Sequence, residues 1–193
     1  MRATKLLAAA VLVLSGLVAA SQASAQGFYI GGSVGQSDTD NSITSGLITS
    51  GTVDGTDTGY KLFGGYQFNQ HFGLELAYVD LGKVSYSGSS GAAPVTGGKV
   101  ETSGINFSAV GTLPLNPSFA LFGKIGMFVW DAKASDVTGG APFSATDDGT
   151  DVSYGIGASF NITKNISARA EWERFKLDSS DADLLSIGIV FRF

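Results

Sequence analysis

The chain has 193 residues with 12 Lys+Arg, 17 Asp+Glu, one His, no Cys, 27 Gly and 4 Pro. A net charge of −5 and a pI near 4.7 argue against a nucleic-acid partner, which needs clustered positive charge. The lack of cysteine excludes a disulfide framework, a thiolate metal site and a cysteine nucleophile. Glycine is about twice its usual share of roughly 7%, too much for a helical bundle, and the 15% of charged residues falls below the roughly 25% of soluble proteins. Part of the surface therefore meets something other than water.

The N-terminus reads as an export signal. Arg2 and Lys5 precede an apolar run over 6–20, and Ala23-Ser24-Ala25 makes a small-residue cleavage site. Residues 1–25 are expected to be cleaved, leaving one domain over 26–193 in which ten basic residues face 17 acidic ones. No later segment holds the roughly 18 apolar residues of a membrane helix.

From Phe28 to the C-terminus the chain instead alternates with period 2, eight times over. The first run sets Phe28, Ile30, Gly32 and Val34 against Tyr29, Gly31 and Ser33. The second sets Tyr60, Leu62, Gly64, Tyr66 and Phe68 against Lys61, Phe63, Gly65 and Gln67, and a tight turn leads to Phe72, Leu74, Leu76 and Tyr78 opposite Glu75. A fourth opposes Ile105, Phe107 and Ala109 to Asn106, Ser108 and Val110; a fifth, over 119–130, carries Lys124. The sixth pairs Val152, Tyr154, Ile156 and Phe160 against Ser153, Gly155, Gly157 and Ser159. In the seventh, Ile166, Ala168, Ala170 and Trp172 oppose Ser167, Arg169, Glu171 and Glu173. The last opposes Leu185, Ile187, Ile189, Phe191 and Phe193 to Ser186, Gly188, Val190 and Arg192.

These runs predict strands of about ten residues, and a tilted strand of about 9–11 crosses a bilayer. Their links alternate: short at 69–71, 114–117 and 163–165, long at 36–58, 83–98 and 133–149, and moderate at 177–182. The long ones, rich in Ser, Thr, Gly and Asp, read as solvated loops. One face of the runs is almost purely aliphatic and aromatic and the other holds Lys61, Glu75, Lys124, Arg169, Glu171, Glu173 and Arg192. A barrel avoids a lipid-exposed charge only if the apolar face is outside. The pattern therefore predicts an all-β, eight-stranded antiparallel up-and-down transmembrane β-barrel. Aromatics near strand ends fit two interfacial girdles. In the fifth run, strict alternation would put Phe128 and Trp130 inside with Lys124. A bulge near Gly126-Met127 is expected to turn Trp130 outward.

Phe63-Gly64-Gly65-Tyr66-Gln67-Phe68-Asn69 and Gly73-Leu74-Glu75-Leu76-Ala77-Tyr78 resemble strands of the OmpA-like outer-membrane barrel family. So do Phe128-Val129-Trp130, Arg169-Ala170-Glu171-Trp172 and the terminal Ile187-Gly188-Ile189-Val190-Phe191-Arg192-Phe193. The resemblance covers residues 26–193 and implies residence in the outer membrane of a Gram-negative envelope, among phospholipid and lipopolysaccharide, as a monomer. It also implies that Phe193, Phe191, Ile189 and Ile187 form the signal read by the barrel-assembly machinery. Larger members continue into a peptidoglycan-binding domain; this chain stops at Phe193, so cell-wall anchoring is not expected. Where members carry a basic residue in the fourth strand, this chain has Val110.

The interior is where the charges must be reconciled. Glu75, Lys124, Arg169 and Glu171 are expected to form a closed network, because pairing is what lets buried charge persist. Catalysis is not expected: the single histidine, His71, falls in a short periplasmic turn, and neither a metal site nor a cofactor is called for. Asp38, Asp40, Asp54, Asp57, Asp136, Asp147, Asp148, Asp151, Asp178, Asp181 and Asp183 crowd the outer end. They read as a solvated acidic face, or as a place to bridge lipopolysaccharide through cations or to meet a host or phage surface ligand. The functional expectation is a structural envelope protein, with a small porin-like channel for ions or solutes and a loop-based adhesion protein as alternatives.

Overall fold

The computed structural model describes residues 27–40, 50–90, 93–138, 141–177 and 180–193. The leader expected over 1–25 and Asp178 lie outside the described residues. Among the described residues nine strands run in chain order: β1 (Gly27–Asp40), β2 (Ser50–Asp54), β3 (Thr56–Gln67), β4 (Phe72–Ser90), β5 (Ala93–Pro114), β6 (Phe119–Thr138), β7 (Ala141–Asn161), β8 (Ile166–Leu177) and β9 (Ser180–Arg192). Every pairing is antiparallel, and β1 pairs with β9 as well as β3, so the sheet closes on itself. β3 pairs with β4 through Tyr60↔Asp80, and β2 pairs with β4 farther out, at Ser85–Ser89. These two segments share one position, and the closed barrel has eight. Closure gives each of the eight barrel strands a partner on both sides within the bilayer, where lipid offers the backbone none.

Side chains alternate between two solvents. Leu62, Ile125, Ile156 and Ile187 on the outer face are about two-thirds exposed, while Lys61, Glu75, Glu171 and Glu173 are buried inside. Only hydrocarbon outside makes that division favourable. The turns at 68–71, 115–118 and 162–165 are tight: Asn69 and Asn116 each accept two backbone N–H bonds through Oδ1, and Thr163 Oγ1 does the same. By the usual barrel topology these turns are periplasmic and the long hairpins extracellular.

Three expectations require correction. The strands are not uniformly about ten residues: β5 has 22 and β7 has 21. Much of the stretches read as loops at 83–98 and 133–149 is paired strand, with β6 and β7 in register from Phe119↔Phe160 to Thr138↔Ala141. Beyond the bilayer both faces meet water, so pairing continues after the alternation of side chains has faded.

The bulge is not at Gly126-Met127. Register runs unbroken from Pro114↔Ala120 to Lys99↔Ser135, and Trp130 lies inside, 5% exposed. The lumen admits the rings because glycines face them: a Cβ at Gly104 would stand 2.7 Å from the Phe128 ring, and one at Gly149 2.6 Å from the Trp130 ring. A bulge sits instead on β4, between Asp80↔Ser103 and Lys83↔Glu101. There Gly82 has φ +77°, a conformation that glycine takes at little cost, and its N–H donates to Asp80 Oδ1 at 2.9 Å.

Candidate functional site

The lumen is filled in layers. At the periplasmic mouth, Arg192 on β9 donates through Nη1 to Asn161 Oδ1 at 3.1 Å and to Ser167 Oγ. This keeps Arg192 apart from the other six charged residues.

Those six meet across the lumen. Glu75 on β4 takes Arg169 Nη1 at 2.7 Å, Lys124 Nζ at 3.1 Å and the Tyr29 hydroxyl at 3.0 Å. Glu171 on β8 pairs with Lys124 at 3.0 Å, with Arg169 at 3.0 Å and with Lys61. Glu173 pairs with both Lys61 and Lys124. Three cations and three carboxylates thus neutralise one another where water is excluded, and each charge has at least two opposite partners. The Arg169 guanidinium also lies between two rings, its Cζ 4.8 Å from the Phe63 centroid and 4.2 Å from that of Phe122. Such contacts hold the fork in place once it is desolvated.

Above this layer Ser153 Oγ donates to Asn106 Oδ1 at 2.7 Å. Higher still the lumen turns apolar. Val79, Leu81, Phe128, Trp130, Phe175, Ala182 and Leu184 form a buried cluster, with the Phe128 and Phe175 rings 4.7 Å apart at 52°. Trp130 Nε1 donates to Asp151 Oδ2 at 2.8 Å, which satisfies the indole where it is buried. This apolar layer was missed by sequence reasoning, although its signal lies in the same alternation. The inward positions run Glu75, Ala77, Val79, Leu81 on one strand and Glu171, Glu173, Phe175 on another, changing from charge to hydrocarbon as they rise.

The remaining residues singled out from the sequence lie on the outside. Ile187, Ile189, Phe191 and Phe193 all face outward and exposed, with the last two rings 5.2 Å apart. His71 sits in the 68–71 turn with Nδ1 3.2 Å from the Thr112 carbonyl. At the extracellular end acids are balanced in places. Asp183 accepts two hydrogen bonds from Arg174 and raises its pKa above the ordinary value, and a hydrogen bond to Glu101 does the same for Lys83.

A closed antiparallel barrel with hydrocarbon outside and paired charge within is an integral β-barrel of the outer membrane. The chain belongs to the family of the outer membrane protein beta-barrel domain, whose pattern matches residues 6–193. Outer membrane protein A of Shigella flexneri is 29% identical over 96% of this chain, and that of Salmonella typhi is 29% identical over the same share. The match takes in 54% of each relative, so the chain spans about half their length. Among solved structures, Ail, the attachment invasion locus protein of Yersinia pestis, superposes with a TM-score of 0.60 at 21% identity, covering 87% of this chain and 99% of that one. OprG from Pseudomonas aeruginosa gives 0.60 at 14% identity, covering 88% and 97%. The chain is therefore an OmpA-like protein located in the outer membrane.

Proposed function

We propose that this protein is a closed structural barrel of the envelope, monomeric and without a standing pore. The observation that carries this reading is the double filling of the lumen. A neutral layer of six interlocked charges is stacked under an apolar layer in which Phe128, Phe175 and Leu184 have no exposed surface. An ion would have to part the first and dehydrate through the second. Proteoliposomes holding the folded chain are expected to retain a potassium gradient as long as empty vesicles do. Rapid collapse of the gradient would favour the small porin-like channel instead.

A second reading rests on the long hairpins, since β4–β5 and β6–β7 carry paired strand well past the apolar belt. They offer an extended paired surface for recognition of a host or phage ligand. Charge narrows the ligand class: Asp38, Asp57, Asp147, Asp148, Asp181 and Asp183 stand at this end, so a sulfated polyanion is disfavoured. Ail has been crystallised with the heparin analogue sucrose octasulfate. We expect no binding of that ligand here at physiological salt, as read by calorimetry. In this account the leader over 1–25 delivers the chain to the periplasm, and the outward residues Ile187, Ile189, Phe191 and Phe193 are read by the assembly machinery.

A further inference from the structure

The lipid-facing wall has a dent. Gly111 on β5 and Gly123 on β6 are directly paired, and Gly123 pairs in turn with Ile156 of β7. Together with Phe72, Leu113 and Leu121 they line a groove of about 450 Å³ on the periplasmic half of the barrel. Its end is polar: His71 and Thr112 stand where strand gives way to turn. The two glycines are not needed for packing. A Cβ at Gly111 would find its nearest neighbour at 4.0 Å and one at Gly123 at 3.9 Å, so a side chain would fit at either position without a clash.

We infer that this groove seats an acyl chain of a phospholipid from the inner leaflet of the outer membrane, with its headgroup beside His71. Three observations select this occupant. The groove lies in the belt that only hydrocarbon contacts, flanked by the exposed Phe72, Leu113 and Leu121. Its polar end lies at the periplasmic rim, where the neighbouring turns carry His71 and Lys164 and no Asp or Glu occurs among their described residues. A phosphate is therefore met without repulsion. A second copy of the chain fits poorly, because a two-fold interface sets the same patch against itself and would leave dent facing dent. A flexible chain fills such a hollow; a second dent does not.

The test uses the full protein extracted from outer membranes in mild detergent and weighed by native mass spectrometry. Wild type is expected to retain one phospholipid. The filled variant Gly111→Leu/Gly123→Leu is expected to lose it at least tenfold, while Gly64→Leu, on the same outer face but on β3, retains it. Heat-dependent gel migration checks that each variant is folded. Independently of any variant, phosphatidylglycerol with a photoreactive acyl chain should cross-link wild type within 109–113 and 121–125. Equal retention in the filled variant, cross-links spread evenly round the barrel, or lipopolysaccharide as the retained lipid would overturn the inference. So would a wild-type dimer that the filled variant abolishes.

Discussion

Trp130 and Trp172 are the two tryptophans of the chain, and they face different surroundings. Trp172 lies on the outer face, 6.1 Å from the Tyr154 ring, whereas Trp130 is buried in the lumen. Brominated lipids should therefore quench the fluorescence of Trp172 and leave that of Trp130 nearly intact, measured in the Trp172→Phe and Trp130→Phe variants. Equal quenching would put Trp130 back on the outside. The charged layer makes a second prediction. Glu75→Ala strips a buried carboxylate from Arg169, Lys124 and Tyr29 at once, and should cost about 3–5 kcal/mol in urea unfolding from lipid vesicles. Glu75→Gln, which keeps a hydrogen-bond acceptor, should cost less. Alternation alone separates these residues into two faces, but it cannot say which inward charge meets which. Glu75 and Arg169 are 94 positions apart, and their contact depends on the height of each strand around the barrel. The place of Trp130 was obscured for a related reason. The room for its ring comes from Gly149 on another strand, so a reading of its own strand alone finds no space for it.

At the scale of the strand, the legible part is the part in lipid. Between Ile105 and Leu113 or Val152 and Ile162 a strict period of two is enforced by hydrocarbon on one side and a narrow lumen on the other. Past Lys99 on β5 or Asp131 on β6 that demand ends, and Ser, Thr, Gly and Asp carry no sign of strand although the backbone stays paired. Hydrogen exchange should tell the two readings apart. Amides over 131–135 and every second amide over 144–148 are expected to be protected well beyond free-loop rates, because β6 is paired on both sides and β7 on one through this range. Exchange at loop rates would show that the hairpin does not persist outside the membrane. The β4 bulge offers a local check as well. Gly82→Ala places a side chain at φ +77° and within 2.8 Å of Asp57 Oδ2, and should lower stability by about 1–2 kcal/mol.

Over the whole molecule, the barrel is polarised along its axis. Charge is buried low in the lumen, hydrocarbon fills it higher up, and the acids outside the charged layer gather toward the extracellular end. The two lumen layers are carried by the same strands: β4 gives Glu75 and Val79, β6 gives Lys124 and Phe128, and β8 gives Glu173 and Phe175. The layers are formed by different side chains, so opening one need not open the other, and the double closure of the lumen can be tested layer by layer. The direct measurement is single-channel conductance in a planar bilayer for wild type, Glu75→Ala, Phe128→Ala/Phe175→Ala and the three substitutions combined. Wild type and each singly breached layer should be silent, and steady openings should appear only when both layers are breached. Steady openings of the wild-type barrel would rule out a closed lumen, and silence of the combined variant, verified as inserted and folded, would show that these two layers are not what closes it.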